Sequence, residues 1–330
     1  MRLPRPRRVV ATATAASLAL AVLAACGGSD DKKVANPKGL EKPLLNVGVV
    51  PVPDSAPLVI AEQKGFFKEE GITIKRKVIK ASPEATPLLS SGSMDLALLN
   101  YVSTFAAQDK GAIKFKLIAD SYEGVNNSFA LLTAKGSSIK DIRGLKGKKV
   151  GVPALKSITD LLLAINVKTN SMNPDKDLKI TPIPLPNMAT ALKQGQVDAV
   201  AAVEPFVTNL QSQQGAQRIS DLISGPTQKF PIAGWGGTEE FAQKNPKTVA
   251  AFQRAIGKAL EVAAANRNEV TKVIPTYTQI PAQTASTITL GSFPRTLSTS
   301  RLERVAVLMK EYGYLTKDLD VKQLTVAEQK

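Results

Sequence analysis

Histidine is absent from the chain and cysteine occurs once, at Cys26. No Ser-His-Asp triad, Cys-His pair or imidazole zinc site can therefore be assembled. A single sulfur cannot close a disulfide within the chain. Carboxylate-only or lysine-based catalysis is what remains open. The polar groups left for chemistry gather where short apolar runs end. Pro53-Asp54-Ser55 follows LNVGVV, Asn100-Tyr101 follows LALL, Ser157 and Thr159 follow KVGV, and Glu204 follows AVAAV. A carboxylate, an amide, hydroxyls and a phenol ring can hold a small molecule without changing it. Ser157 and Thr159 also open an apolar helix, whose free N–H groups suit a sulfonate, phosphate or carboxylate. Tyr122 and Trp235, the latter set among glycines in AGWGG, could stack on a ligand. Each has a plain alternative: helix caps at Asn100 and Ser157, packed rings at Tyr101, Tyr122 and Trp235, a brace at Glu204. No acidic cluster points to a metal, and no cofactor is expected.

The elements that must position these groups alternate. Leu45–Val50, Ile72–Ile79, Asp95–Leu99 and Lys114–Ala119 read as strands, separated by helices over Pro57–Lys64, Pro83–Ser91 and Tyr101–Asp109. A second cycle has strands at Ser128–Ala134, Lys149–Val152, Leu178–Pro182 and Val197–Val203, with helices over Ser157–Thr169 and Met188–Gln194. Such a rhythm predicts α/β architecture with mostly parallel sheets. From about Pro231 helices dominate. Within 249–263, Phe252, Ile256, Ala259, Leu260 and Ala263 fall on one stripe, the mark of a packing face. Ligands of open α/β sheets bind beyond the carboxyl ends of strands, which is where the polar groups above lie.

Composition sets the outer bounds. The 330 residues are 43% hydrophobic and 22% charged, which is globular. The formal charge is +15, but the lysines are scattered and interleaved with acids. That reads as solvated surface rather than a nucleic-acid stripe. Residues 1–25 run from a basic start (Arg2, Arg5, Arg7, Arg8) through an apolar stretch to small residues, the plan of a secretory signal. Leu23-Ala24-Ala25-Cys26 is similar to the lipobox of bacterial lipoproteins, whose cysteine carries diacylglycerol. This predicts a lipid anchor on Cys26, an extracytoplasmic location at the cell membrane, and a polar stalk over 26–43. Arg7-Arg8 lacks the surroundings of a twin-arginine signal, so the general secretory route is favoured.

Five local motifs then line up in order. They are Pro57 to Ile72 (PLVIAEQKGFFKEEGI), Ser91-Gly92-Ser93-Met94-Asp95, Ile139 to Val152 (IKDIRGLKGKKVGV), Ala191 to Ala199 with Glu204-Pro205, and Phe241 to Pro246 with the helix after it. Together they resemble the substrate-binding proteins of ATP-driven importers for sulfonates, taurine, nitrate and thiamine pyrimidine precursors, over about residues 45–315. The resemblance implies a two-lobed, type II periplasmic-binding-protein fold. Lobe 1 would comprise 44–122 plus 231–330 and lobe 2 would comprise 123–230, joined by a hinge of two crossovers and closing on ligand in the cleft.

It also implies a monomeric solute receptor without catalysis, serving an ABC permease and its ATPase. The basic chain and the helix start at Ser157 favour a small, sulfonate-like organic anion. An aromatic heterocycle held by Tyr101 and Trp235, or a sensory lipoprotein that does not transport, are the alternatives. Eukaryotic pyrimidine-precursor synthases resemble the same family but use a cysteine-rich motif and histidine. Deaminases with this two-lobe plan tether their cofactor through cysteine. Neither feature is present beyond Cys26.

Overall fold

A computed structural model describes residues 38–327. The leader, the lipidation cysteine and most of the stalk lie outside these residues. Ten strands form two five-stranded sheets. β1 (Leu44–Val49), β2 (Thr73–Val78), β3 (Leu96–Asn100), β4 (Phe115–Glu123) and β10 (Pro231–Thr238) make the first, in the order β2-β1-β3-β10-β4. β5 (Phe129–Thr133), β6 (Lys149–Val152), β7 (Lys179–Pro182), β8 (Ala199–Val203) and β9 (Gln217–Asp221) make the second, in the order β7-β6-β8-β5-β9. The chain thus leaves the first sheet after Glu123 and re-enters it at Pro231.

The expectation of mostly parallel sheets is corrected in one respect. β1 pairs parallel with β2 and β3, and β6 parallel with β7 and β8. The remaining pairs are antiparallel: β10 re-enters the first sheet between β3 and β4, and β5, the strand by which the chain enters the second sheet, lies between β8 and β9. β9 and β10 were not foreseen as strands. β10 reads as a glycine-rich connection, PIAGWGGT, yet it sits buried between β3 and β4. Its glycines are there for close approach. A Cβ on Gly234 would come 2.5 Å from the Tyr101 hydroxyl and 2.6 Å from the Ala119 carbonyl oxygen.

Both sheets start their parallel halves with the same device. Asp95 Oδ2 accepts from the Asn46 amide at 2.9 Å, and Asp198 Oδ2 accepts from the Lys149 amide at 2.8 Å. Each aspartate precedes its own strand and satisfies an amide of the neighbouring one, Asn46 within β1 and Lys149 at the start of β6. The long helix Pro246–Ala265 lays Val249, Phe252, Ile256, Ala259 and Leu260 into the first core, as the apolar stripe predicts. Phe252 meets Phe67 at 5.4 Å and Trp235 at 6.1 Å between ring centroids.

The far end of the expected stalk is held to the body. Leu40 is buried, Glu41 accepts from the amides of Lys247 and Thr248, and Lys42 Nζ reaches Asp95 at 2.6 Å. Of the basic residues, Lys75, Arg76 and Lys77 lie on β2, an edge strand, where exposed charge discourages pairing with another chain. Among the described residues no helix is long and apolar enough to cross a membrane.

Candidate functional site

The two sheets present the carboxyl ends of β1, β3, β6 and β8 to a shared cavity of about 60 Å³. One water needs roughly 10–15 Å³ on such a measure, so the space suits several waters or a small solute. Val50, Val52, Leu98 and Ile232 wall it from the first sheet, and Phe129, Ile158, Leu185 and Val203 from the second. Against this apolar lining stand a few polar groups: Asp54, Ser82 and Asn100 on one side, Ser157 and Thr159 on the other, with exposed Lys80 at the rim. Apolar walls with sparse, placed polar groups are the usual make-up of a ligand site.

Asp54 belongs to a short 3-10 turn, Pro53–Ser55, directly after β1. The turn is locked from both sides. Ser55 Oγ donates to the Val50 carbonyl at 2.8 Å, and Ser121 Oγ donates to the Asp54 carbonyl at 2.6 Å. The Asp54 side chain is 3% exposed, and its Oδ1 has no hydrogen-bond partner. Burial pushes its pKa up to about 7, opposed only by its own backbone N–H.

Asn100 ends β3 and caps the helix Tyr101–Asp109, accepting from the Ser103 amide at 2.8 Å. Its Oδ1 is thereby used, and its Nδ2 has no partner among the described residues. Ser82 Oγ accepts from the Asn100 amide at 2.8 Å and so holds that strand end in place.

Across the cavity, Ser157 precedes the twelve-residue helix Ile158–Thr169. Its hydroxyl donates to the Ala154 carbonyl at 2.7 Å rather than capping the helix. Asp160 does not cap the helix either, since its Oδ2 accepts from the Lys156 amide at 2.8 Å. Among the described residues the amides of Ile158, Thr159 and Asp160 have no acceptor. The positive end of the helix dipole is therefore open to a ligand.

Of the residues singled out from the sequence, Asp54, Asn100, Ser157 and Thr159 share this cavity. Pro53 and Ser55 shape the turn behind Asp54 without lining it. The other four are corrected. Tyr101 is fully buried and donates to Asp120 Oδ1 at 2.7 Å, pointing away from the cavity toward β10 and β4. Tyr122 is fully buried, accepts from the Gly291 amide and meets Phe293 edge-on at 5.2 Å. Trp235 is turned to the Phe252 side of its sheet. Glu204, before a cis proline, accepts from the amides of Thr208 and Thr289, both at 3.0 Å. It ties the end of β8 to the late chain, which is the brace reading. Lys80, Ser82, Phe129 and Leu185 were missed. Their residue types give no signal, since three look like core or turn residues and the fourth like surface.

Two further ties join the second sheet's helix to the chain after the helix Thr299–Glu311. Lys156 Nζ lies 4.3 Å from the Tyr314 ring centroid and Lys168 Nζ lies 4.2 Å from that of Tyr312. Tyr314 also hydrogen-bonds Asp160, and both groups are pushed to higher pKa, chiefly by burial. Arg304 donates to the carbonyls of Pro226 and Gln228 at 2.7 and 2.9 Å, anchoring the return crossover.

Two sheets of this topology facing one cleft define a two-lobed, periplasmic-binding-protein-like fold. The family model described as "NMT1/THI5 like" matches residues 52–270, and the chain belongs to that family. It is 26% identical over 259 residues to the nitrate/nitrite binding protein NrtA of Nostoc sp., covering 72% of this chain and 58% of that protein. It is 28% identical over 231 residues to the 4-amino-5-hydroxymethyl-2-methylpyrimidine phosphate synthase THI13 of Saccharomyces cerevisiae, covering 66% and 65%. The chain thus spans less than two thirds of the length of each. Among solved structures, the periplasmic aliphatic sulphonate binding protein SsuA from Escherichia coli superposes with a TM-score of 0.68 at 20% identity, covering 85% of this chain and 96% of that one.

Proposed function

We propose that this protein is an extracytoplasmic solute receptor, tethered by lipid on Cys26, that delivers a small organic anion to an ABC permease driven by its ATPase. The observation that carries this reading is the unfilled helix start at Ile158–Asp160, which opens into a cavity shared by both sheets. Oxyanions are the natural occupants of such a helix end. Binding rather than turnover fits the lining. Among the described residues the cavity holds no nucleophile paired with a base: the Ser157 hydroxyl is spent on the Ala154 carbonyl, and the Ser82 hydroxyl accepts from the Asn100 amide. The relatives named above include both a binding protein and a synthase, so the absence of histidine from this chain separates it from histidine-dependent chemistry.

A second reading, a heterocycle with an exocyclic amine, is favoured by Asp54 and by Phe129 in the wall. Its original stacking partners, Tyr101 and Trp235, do not face the cavity. A melting-point screen separates the readings, using nitrate, alkanesulfonates, aminosulfonates and pyrimidine precursors at 100 times Kd or more. The expected stabilisation is about 2.7 kcal/mol, or a rise of roughly 5 °C for a chain of this size. Oxyanions that leave the melting point unmoved would remove the anion reading. A rise with pyrimidines alone would install the second.

A further inference from the structure

Asp54 and the open helix start face one cavity of about 60 Å³. An oxyanion seated at the helix start therefore lies close to the Asp54 carboxyl. Resting on the receptor reading above, we propose that the site binds its anion only with a proton on Asp54. The carboxyl O–H donates to the solute, and the proton is taken up from solvent as the solute enters.

Five buried side-chain atoms among the described residues lack a hydrogen-bond partner, and Asp54 Oδ1 differs from the other four. Glu62 and Arg301 lie in ion pairs, at 3.0 Å from Arg76 and 2.9 Å from Glu123. Asp109 engages Thr316 through its other oxygen. The Trp235 indole carries no charge. Of the five, only Asp54 lines the cavity. Its turn is clamped by Ser55 and Ser121, which fixes where the carboxyl sits. Ionised, it would oppose an oxyanion at short range in a poorly solvated space. Protonated, it becomes an O–H donor, and an O–H···O⁻ bond is short and strong.

The groups around the turn leave the proton to Asp54. Tyr277 donates to the Val52 carbonyl at 3.0 Å, Tyr101 donates to Asp120, and Tyr122 accepts from Gly291. Burial, with neighbouring carboxylates adding to it, holds all three phenols well above their usual range. The charges beyond them are engaged: Asp120 with Arg301, Glu204 with Thr208 and Thr289, Arg267 with the Ile288 carbonyl. Lys80 is exposed at the rim. From the second sheet the cavity meets Ser157 and Thr159, which do not titrate, while Asp160 is turned to the Lys156 amide and Tyr314. Burial pushes the Asp54 pKa up to about 7, so its proton is exchanged near neutrality.

Ethanesulfonate and nitrate carry no titratable proton between pH 5 and pH 9, so any proton taken up on binding belongs to the protein. Calorimetric titration in amine buffers (sulfonate buffers could occupy the site) should give an affinity that is level below pH 6. Above pH 7 it should fall about tenfold per pH unit. In weakly buffered solution at pH 8, saturation with the anion should remove about one proton per protein from the medium, and at pH 5 almost none. Asp54→Asn carries its donor at every pH. Its profile should be flat, without proton uptake, and at pH 8 it should bind about tenfold tighter than the wild type. Binding to the wild type without pH dependence or proton uptake overturns the inference and leaves the receptor reading standing. So does uptake that survives in Asp54→Asn, which would assign the proton to another group. Failure of both anions at pH 5 removes the inference, and the receptor reading falls with it only if the rest of the screen is also silent.

Discussion

Replacing Asp54 by Asn stabilises the ligand-free protein at pH 8, by about 2–4 kcal/mol over the wild type. The sign follows from the buried carboxyl. In the folded chain burial pushes the Asp54 pKa up to about 7, from an ordinary value of 3.8. Between those values the folded state binds more protons than the unfolded one, so stability falls as pH rises through that window and stays low above it. Asparagine has nothing to release. The two chains should therefore match below pH 4 and diverge between about pH 4 and pH 7. Urea denaturation at a series of pH values measures this. Asp120, with its pKa pushed up to about 6, together with Asp160 and Glu204, tilts both curves in the same direction. The difference between the chains therefore isolates Asp54. Equal stability at pH 8 would mean that the carboxyl is solvated.

Asp120→Ala acts in the opposite direction and should cost about 3–5 kcal/mol. Asp120 is 2% exposed and sits at the centre of a network. It accepts from Tyr101 Oη at 2.7 Å, from the Ser121 amide at 2.9 Å and from Arg301 Nη1 at 2.8 Å. Alanine strands a buried phenol and half of a guanidinium. Glu123, 2.9 Å from Arg301 Nη2, retains the other half. Asp120→Asn keeps acceptor capacity and should lose clearly less. The network couples the late helix Thr299–Glu311 to β4 just before the chain crosses to the second sheet, so its loss is felt where the lobes join. A cost below 1 kcal/mol by denaturation would place this ion pair with ordinary surface pairs.

The strands legible in the sequence are those with an apolar run or clean alternation, β1 to β8. β9 is half-buried along its length and reads QRISD, with no run to detect. β10 was hidden by its own glycines, which are demanded by backbone contacts that no local pattern encodes. The rule that ligands gather beyond strand ends picked out Asp54, Asn100, Ser157 and Thr159, which line one cavity. It could not find Phe129, Leu185 or Val203, because an apolar wall residue and a core residue are the same residue until the cleft is in view. The same rule drew in Tyr101, and nearness to the crossovers drew in Tyr122 and Trp235. Successive residues of a strand face opposite sides of its sheet. Knowing that an aromatic ring lies near a crossover therefore does not say which side it fills. Here all three rings went to packing, and the smaller polar neighbours were left to face the cavity.

The account stands on one placement: a small solute held between the Asp54 turn and the start of the Ile158–Thr169 helix. A crystal structure of the complex with the solute that most raises the melting point measures it directly. The solute should lie between the two sheets, with an oxyanion within hydrogen-bond distance of the amides at 158–160 and its other end against Asp54. A solute seated outside that cavity, or one touching only a single lobe, would contradict it.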